Sequence, residues 1–344
     1  KYGQRPRGQN PTGFTSKTVQ NRYERGLYMN QAAAKPRKKK KGLIYDLKKH
    51  WIMWLMLVPT IVFFFIFNYI PMAGVYLAST DYSFKGGLYG SPWVGMQNFQ
   101  TLWDSGRIAY LTRNTILYNV AFIFLGNFCQ IAAAIILSRM GSKIMKKTYQ
   151  TVMFLPYFVS YVIVQAFSYA LFNSGSGMVT MIVRTLTGDT GFAPYATPSI
   201  WKYIIVLVYL WKQIGYGTVV YLAAITSIGD DYYEAAQIDG ATVMQQIRYI
   251  TIPLLIPTFI ILLLLALGQI MRGQFELFYQ LVGNQGQLYE ATDILDTYVF
   301  RMLRVDFEVG IGSAAGLYQS LVGFILIMFI NWAIKRNHEE YALS

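Results

Sequence analysis

Six apolar stretches divide the chain, at about 51–70, 115–137, 149–172, 203–228, 253–271 and 310–334. Each is close to the ~20 residues that a helix needs to cross a hydrocarbon layer about 30 Å thick. Five contain no Asp, Glu, Lys or Arg, and the fourth carries Lys212 near its middle. Trp51, Trp54, Trp201 and Trp332 fall near the predicted ends, where amphipathic rings settle at the membrane interface. The pattern predicts an all-α membrane protein with six transmembrane helices over 51–334. A polar tail (1–50) precedes them and a short tail (335–344) follows.

Between the fourth and fifth apolar runs lies a polar segment with a legible local structure, from Asp230 to Pro253. Asp230 and Asp231 are placed to cap a helix and to suit its positive end. Glu234 to Ile238 continues that helix, with small residues at Ala235 and Ala236. Gly240 is a C-terminal stop, because it tolerates a left-handed backbone. Thr242 and Gln245 have the spacing of a capping box, which opens a second helix. Pro253 is expected to bend the path into the next apolar run.

The same segment, EAAQIDGATVMQQIRYITIP, has the spacing EAA-x3-G-x9-I-x-[LI]-P. It resembles the EAA loop of permease subunits in binding-protein-dependent ABC importers, with Ile252 where Leu is commoner. Three further stretches, at 155–173, 211–225 and 291–320, are similar to LplB-type permeases of the oligosaccharide branch related to the maltose system. The likeness runs from about residue 45 to the C-terminus. It implies the type I permease fold of ABC importers, in a bacterial cytoplasmic membrane, with a second, different permease and two ATPase subunits as partners. An extracytoplasmic solute-binding protein would deliver the sugar. The resemblance also implies a coupling role for this loop. Glu234 would contact an ATPase, Ala235 and Ala236 would allow close approach, and Asp239 and Gly240 would hold the exit turn. ATP and Mg would be bound by the ATPases, with no cofactor in this chain.

Charge supports that topology. The net +13 is concentrated in residues 1–50, which hold 14 Lys+Arg and 2 Asp+Glu, including Lys35–Lys41 (KPRKKKK) just before the first apolar run. A basic cluster in that position anchors topology and meets anionic lipid, so it does not point to nucleic acid. With both termini inside, the inner segments hold 21 Lys+Arg and the outer segments 8. The loop at Glu234 runs against this trend with Asp230, Asp231, Glu234 and Asp239 against Arg248, which points to a protein partner. Residues 1–34 lack an apolar period and read as disordered, and Met29 reads as a start. Gly42–His50 reads as a short surface helix.

The chain lacks the constellations that would make it an enzyme. There is no phosphate loop and no HExxH, the two histidines (His50 and His338) are far apart, and Cys129 stands alone. Binding residues are sought instead in the spans. Sugar sites combine aromatic faces with amides and hydroxyls, and Tyr157, Ser160, Tyr161, Gln165, Tyr209, Trp211, Gln213, Tyr216, Tyr221 and Gln269 offer these. Tyr209, Gln213 and Tyr216 share a helix face at i, i+4, i+7. Lys212 has two readings: a clamp on helix-end carbonyls or an acid, or a pathway residue. The outer loop 272–309 is charged, and Tyr289, Asp293 and Asp296 are expected to be exposed and to dock the solute-binding protein or the second permease. Rival readings are a permease for peptide or another non-sugar solute, and a stand-alone secondary transporter. The second would need an acid inside a span, and the spans contain none. A membrane scaffold without transport is the remaining alternative.

Overall fold

The computed structural model describes residues 49–283 and 285–337. The basic cluster at Lys35–Lys41, most of the expected surface helix at Gly42–His50, and the tail from His338 onward lie outside the described residues. Backbone contacts divide the chain into two units, one ending at Ile70 and one beginning at Pro71.

In the first unit, helix α1 (Trp51–Phe64) continues into a π-turn at Phe65–Tyr69, and neither element contains a buried residue. Its side chains are almost wholly apolar. Such a helix is stable where lipid or another apolar surface covers it.

The second unit is built on α2 (Arg107–Ser138) and α5 (Pro198–Thr226), which form its most extensive helix pair. Small residues bring them together. A Cβ on Gly217 would collide with the Gln130 side chain of α2. On the same helix, a Cβ on Gly215 would collide with the backbone at Met153 in α3 (Lys143–Phe158). In lipid, where apolar surfaces gain little from meeting one another, close approach of this kind supplies much of the packing energy.

The third apolar run is not one straight helix. It breaks into α3 and α4 (Tyr161–Phe172), which are bent 94° from each other. Pro156 lies in the last turn of α3, and Ser160 caps α4 through its hydroxyl, which accepts from the Val162 N–H at 3.3 Å. Proline disfavours continuation and serine favours a new start, so the break follows from local chemistry.

A short helix α6 (Asp230–Ile238) leads to α7 (Val243–Leu267). The chain does not break at Pro253. The helix runs through it after a π-turn at Ile247–Thr251, and Pro253 is the second residue of the α-segment that follows. The connection after α7 folds into α8 (Phe275–Val282) and α9 (Leu295–Arg304), followed by α10 (Val309–Asn337). Among the described residues, five helices are long and apolar enough to cross a membrane: Trp51–Ser79, α2, α5, α7 and the Val309–Trp332 part of α10. The bent pair α3/α4 makes a sixth.

Three apolar cores hold the second unit. One joins Tyr118 and Phe122 of α2, Trp201 and Ile205 of α5, and Leu277, Phe278 and Leu281 of α8. A second places Leu111 against Met271, Leu295, Tyr298 and Ala315. The third lies at the other end of α2 and α5, where Ala134, Leu137, Tyr221, Leu222 and Ile225 surround Leu255 of α7.

Candidate functional site: the loop helix and the span interior

Helix α6 begins after Gly229, which is its N-cap. Asp230 and Asp231 lie in its first turn and do not cap it with their side chains, which corrects their expected role while leaving them at the positive helix end. The other end is closed as a Schellman motif. The Ala241 N–H donates to the Ala236 carbonyl at 2.8 Å, and the Gly240 N–H donates to the Gln237 carbonyl at 3.0 Å. Gly240 has φ +77, as that motif requires, and a Cβ there would meet nothing within 4 Å. A substitution at Gly240 would therefore strain the backbone without causing a clash. Thr242 and Gln245 form the capping box: the Thr242 N–H donates to Gln245 Oε1 at 2.7 Å, and the Gln245 N–H donates to Thr242 Oγ1 at 3.4 Å.

Glu234, Ala235 and Asp239 are exposed, whereas Ala236 is half-buried against its own chain. Only one of the two alanines therefore faces outward. Sequence reasoning did not single out the apolar side chains beside them. Tyr232 (61%), Ile238 (87%) and Met244 (71%) are strongly exposed around the same turn. These are large apolar groups left exposed on α6 and at the start of α7.

The inward side of α6 is held by Tyr233. Its hydroxyl shares a 3.1 Å hydrogen bond with Thr251 Oγ1 of α7, and the Arg139 guanidinium lies 4.7 Å from its ring centroid. Arg139 also donates to Gln246 Oε1 at 2.9 Å. These partners come from three separate stretches of sequence, so spacing alone gave no sign of them.

Among the span candidates, Lys212 is buried. Its Nζ donates to the carbonyls of Pro156 (3.3 Å), Tyr157 (2.8 Å) and Val159 (2.5 Å), and it stands 4.7 Å from the Tyr161 ring centroid. Lys212 is thus the clamp of its two expected roles, and it caps carbonyls freed where α3 stops. Tyr209 is half-buried and stacks on Phe122 with ring centroids 3.9 Å apart. Tyr221 is fully buried and donates to Asn127 Oδ1 at 2.6 Å. In this structure the helix–helix contacts of α2, α3 and α5 engage all three side chains. Gln213 is half-buried, and its backbone carbonyl accepts from Gln130 Nε2 at 3.3 Å. Tyr216 is 51% exposed and stacks on Tyr157 with centroids 5.1 Å apart, giving an open aromatic platform. Gln165, Trp211 and Gln269 are also exposed, and Ser160 is occupied as the α4 cap.

In the connection between α7 and α10 the exposure expected of Tyr289, Asp293 and Asp296 is not found. Asp293 is buried and pairs with Arg301, whose guanidinium also lies 4.1 Å from the Tyr289 ring centroid, leaving Tyr289 half-buried. Asp296 is half-buried and accepts from the Gly273 N–H at 2.6 Å and from Gln319 Nε2 at 3.1 Å. Burial pushes the Asp296 carboxyl above the usual carboxylate range, against the pull of those donors. The loop folds inward because α2 presents donors to its backbone. Asn114 Nδ2 reaches the carbonyls of Glu290 (3.0 Å) and Asp293 (3.1 Å), and the Tyr118 hydroxyl reaches that of Ala291 (2.8 Å). These charges organise the loop internally and are not the free surface charges expected.

Residues 126–338 match the family model described as binding-protein-dependent transport system inner membrane component. Over 295 residues the chain is 31% identical to the protein LplB of Bacillus subtilis, covering 86% of this chain and 92% of that one. It is 30% identical over 308 residues to the polygalacturonan/rhamnogalacturonan transport system permease YteP of the same species, covering 88% and 94%. The fold is similar to a chain of a solved bacterial alginate ABC transporter in complex with an alginate pentasaccharide-bound periplasmic protein. That match has a TM-score of 0.77 and 31% identity, and covers 88% of this chain and all of the other.

Proposed function

This chain belongs to the family of binding-protein-dependent transport system inner membrane components, and we propose on that premise that it forms, with a second permease, the path by which an oligosaccharide crosses the cytoplasmic membrane. It is a multi-pass permease of the sugar branch of ABC importers. The observation that carries the reading is α6 itself, an exposed helix capped at its far end and set between two spans, in a chain that aligns with sugar permeases over nearly its whole length.

In this reading α6 seats in a groove of an ATPase subunit, and two such subunits bind and hydrolyse ATP with Mg. Glu234 supplies a polar contact, while Tyr232, Ile238 and Met244 supply apolar anchors of the kind that dominate interface energy. Ala235 lets the surfaces approach, and Gly240 with Asp239 sets the exit angle. The ATPases are cytoplasmic, so α6 and both termini lie inside, in agreement with the excess of inner Lys and Arg.

The Tyr157–Tyr216 platform and Gln213 are the candidate pathway wall. Stacked rings present flat faces to sugar C–H surfaces, and an amide serves sugar hydroxyls. Docking of the solute-binding protein falls to exposed parts of the outer loop such as Glu290, with Asp293 and Asp296 holding the shape behind it.

The test is reconstitution of the permease pair, ATPases and solute-binding protein in proteoliposomes, with uptake measured for labelled oligosaccharides and for peptides. ATP-dependent entry of an oligosaccharide that also raises the melting temperature of the binding protein is the expected result. Uptake confined to peptides would move the chain to another solute class, and uptake without the ATPases would make it a secondary transporter.

A further inference from the structure

Arg139 is the C-cap residue of α2 and belongs to the short loop that leads into α3. Its backbone is tied to the second span, and its side chain reaches two other elements at once. Nη1 donates to the side-chain oxygen of Gln246 in the first turn of α7. The face of the same guanidinium covers the ring of Tyr233 in α6. Both contacted side chains are themselves held. Gln246 is buried, and its Nε2 donates at 3.2 Å to the carbonyl of Ala241, the residue that closes the Schellman turn. The Tyr233 hydroxyl is bonded to the buried Thr251. One planar cation therefore joins α2, α6 and α7.

The geometry of α6 explains why this junction matters. The helix is nine residues long, and among its positions only Tyr233 and Ala236 are half-buried while the rest are exposed. Its ends are covalently attached, but a short exposed helix can still roll about its axis unless a side chain pins it. Tyr233 is the side chain that reaches inward, and Arg139 is the group stacked on it. Only the planar guanidinium can lie on an aromatic face and donate in its own plane at the same time. A lysine offers a point charge and loses one of the two contacts. Arg139 makes no ion pair among the described residues, despite the acids on α6, so its contacts are with the ring and the amide.

We propose that Arg139 is a positioning residue for coupling. It locks α6 in its roll angle and transmits load on α6 to the second and fifth spans together, so that the bundle moves as one body. The proposal rests on the reading of α6 as the ATPase contact.

The experiment uses the complete importer in proteoliposomes and records ATP hydrolysed per oligosaccharide imported, alongside the amount of ATPase that co-purifies. Variants are R139A, R139K, Q246A, R139A/Q246A and, as the control on α6 itself, G240V. R139A is expected to consume several-fold more ATP per sugar with ATPase recovery unchanged, and R139K to fall between it and the wild type. R139A/Q246A is expected to fall short of the product of the two single defects, since the two side chains share a contact and coupled residues are not additive. A wild-type ratio in R139A overturns the proposal. So does loss of the ATPase, which would make Arg139 a direct contact, and so do defects of R139A and Q246A that multiply. If R139A does not assemble, R139K decides alone: a raised ratio supports the proposal and a wild-type ratio overturns it. If G240V uncouples while R139A does not, only this inference fails. If neither does, the reading of α6 fails first.

Discussion

The Lys212 ammonium lies 2.5 Å from the Val159 carbonyl oxygen, at the point where α3 ends and the chain turns 94° into α4. The ammonium has three donors, and Pro156, Tyr157 and Val159 supply three acceptors. Each needs the other, because carbonyls released by a helix break have no water partner inside a bilayer, and a charge at that depth is costly alone.

Replacing Lys212 with Met would keep much of the volume and remove the donor to the Tyr157 and Val159 carbonyls, while the Pro156 carbonyl keeps its bond from the Val159 N–H. A buried acceptor without a partner costs about 1–3 kcal/mol. The expected outcome for K212M is a melting temperature in detergent several degrees below wild type, with increased protease cleavage near residues 158–161. A K212M protein that melts with the wild type would show that the break is held by other contacts.

Asp293 and Arg301 make a different prediction from exposed loop charges. Removing one partner of a buried ion pair costs about 3–5 kcal/mol, because the other charge is left stranded. D293K should therefore unfold the outer loop and lower the melting temperature of the isolated permease. The defect should change little between low and high salt, since a buried pair is weakly screened. A variant of normal stability whose only defect is salt-sensitive docking would instead place Asp293 at the surface.

These two pairs mark where sequence reasoning stops. The six apolar runs were legible because membrane crossing depends on length and composition alone. The turn at Gly240 and the capping box at Thr242 were legible because their hydrogen bonds close within six residues. Lys212 was recognised as a burdened charge, but its partners lie more than 50 positions away and exist only because α3 breaks. Asp293 looked like a surface acid because loops between spans normally meet water. Its burial depends on Asn114 and Tyr118, more than 170 positions earlier, reaching up to hold the loop backbone. Tyr209 and Tyr216 share a face in sequence, yet different neighbours make one a packing residue and the other a platform.

Asp296 gives a pH-dependent prediction. Burial raises its folded pKa above the ordinary value of 3.8, so the ionised carboxylate is a net cost to the fold. That cost is fully present above the raised folded pKa, declines as pH falls through it, and is gone below about 3.8. D296N keeps an acceptor for the Gly273 N–H and removes the charge. The melting-temperature advantage of D296N over wild type should be largest at neutral pH and shrink toward zero as pH drops through that window. A difference independent of pH would show that the substitution acts through packing.

Gly240 and Glu234 test the element on which the functional reading depends. At φ +77, a β-branched side chain at Gly240 costs about 1–2 kcal/mol of backbone strain, and the space around it is open, so G240V can still be inserted and folded. The strain is relieved by opening the Schellman turn, which changes the angle at which α6 leaves toward α7. E234K acts differently: it leaves the backbone alone and reverses a charge on the exposed face. The two variants should fail in distinct ways. G240V should retain part of its ATPase but hydrolyse ATP with little sugar uptake. E234K should lose ATPase on purification, more severely at low salt, where a reversed charge repels over a longer range. The measurements are co-purification at two salt concentrations and binding-protein-stimulated hydrolysis and uptake in proteoliposomes. If both variants assemble and transport like wild type, α6 is not the coupling element.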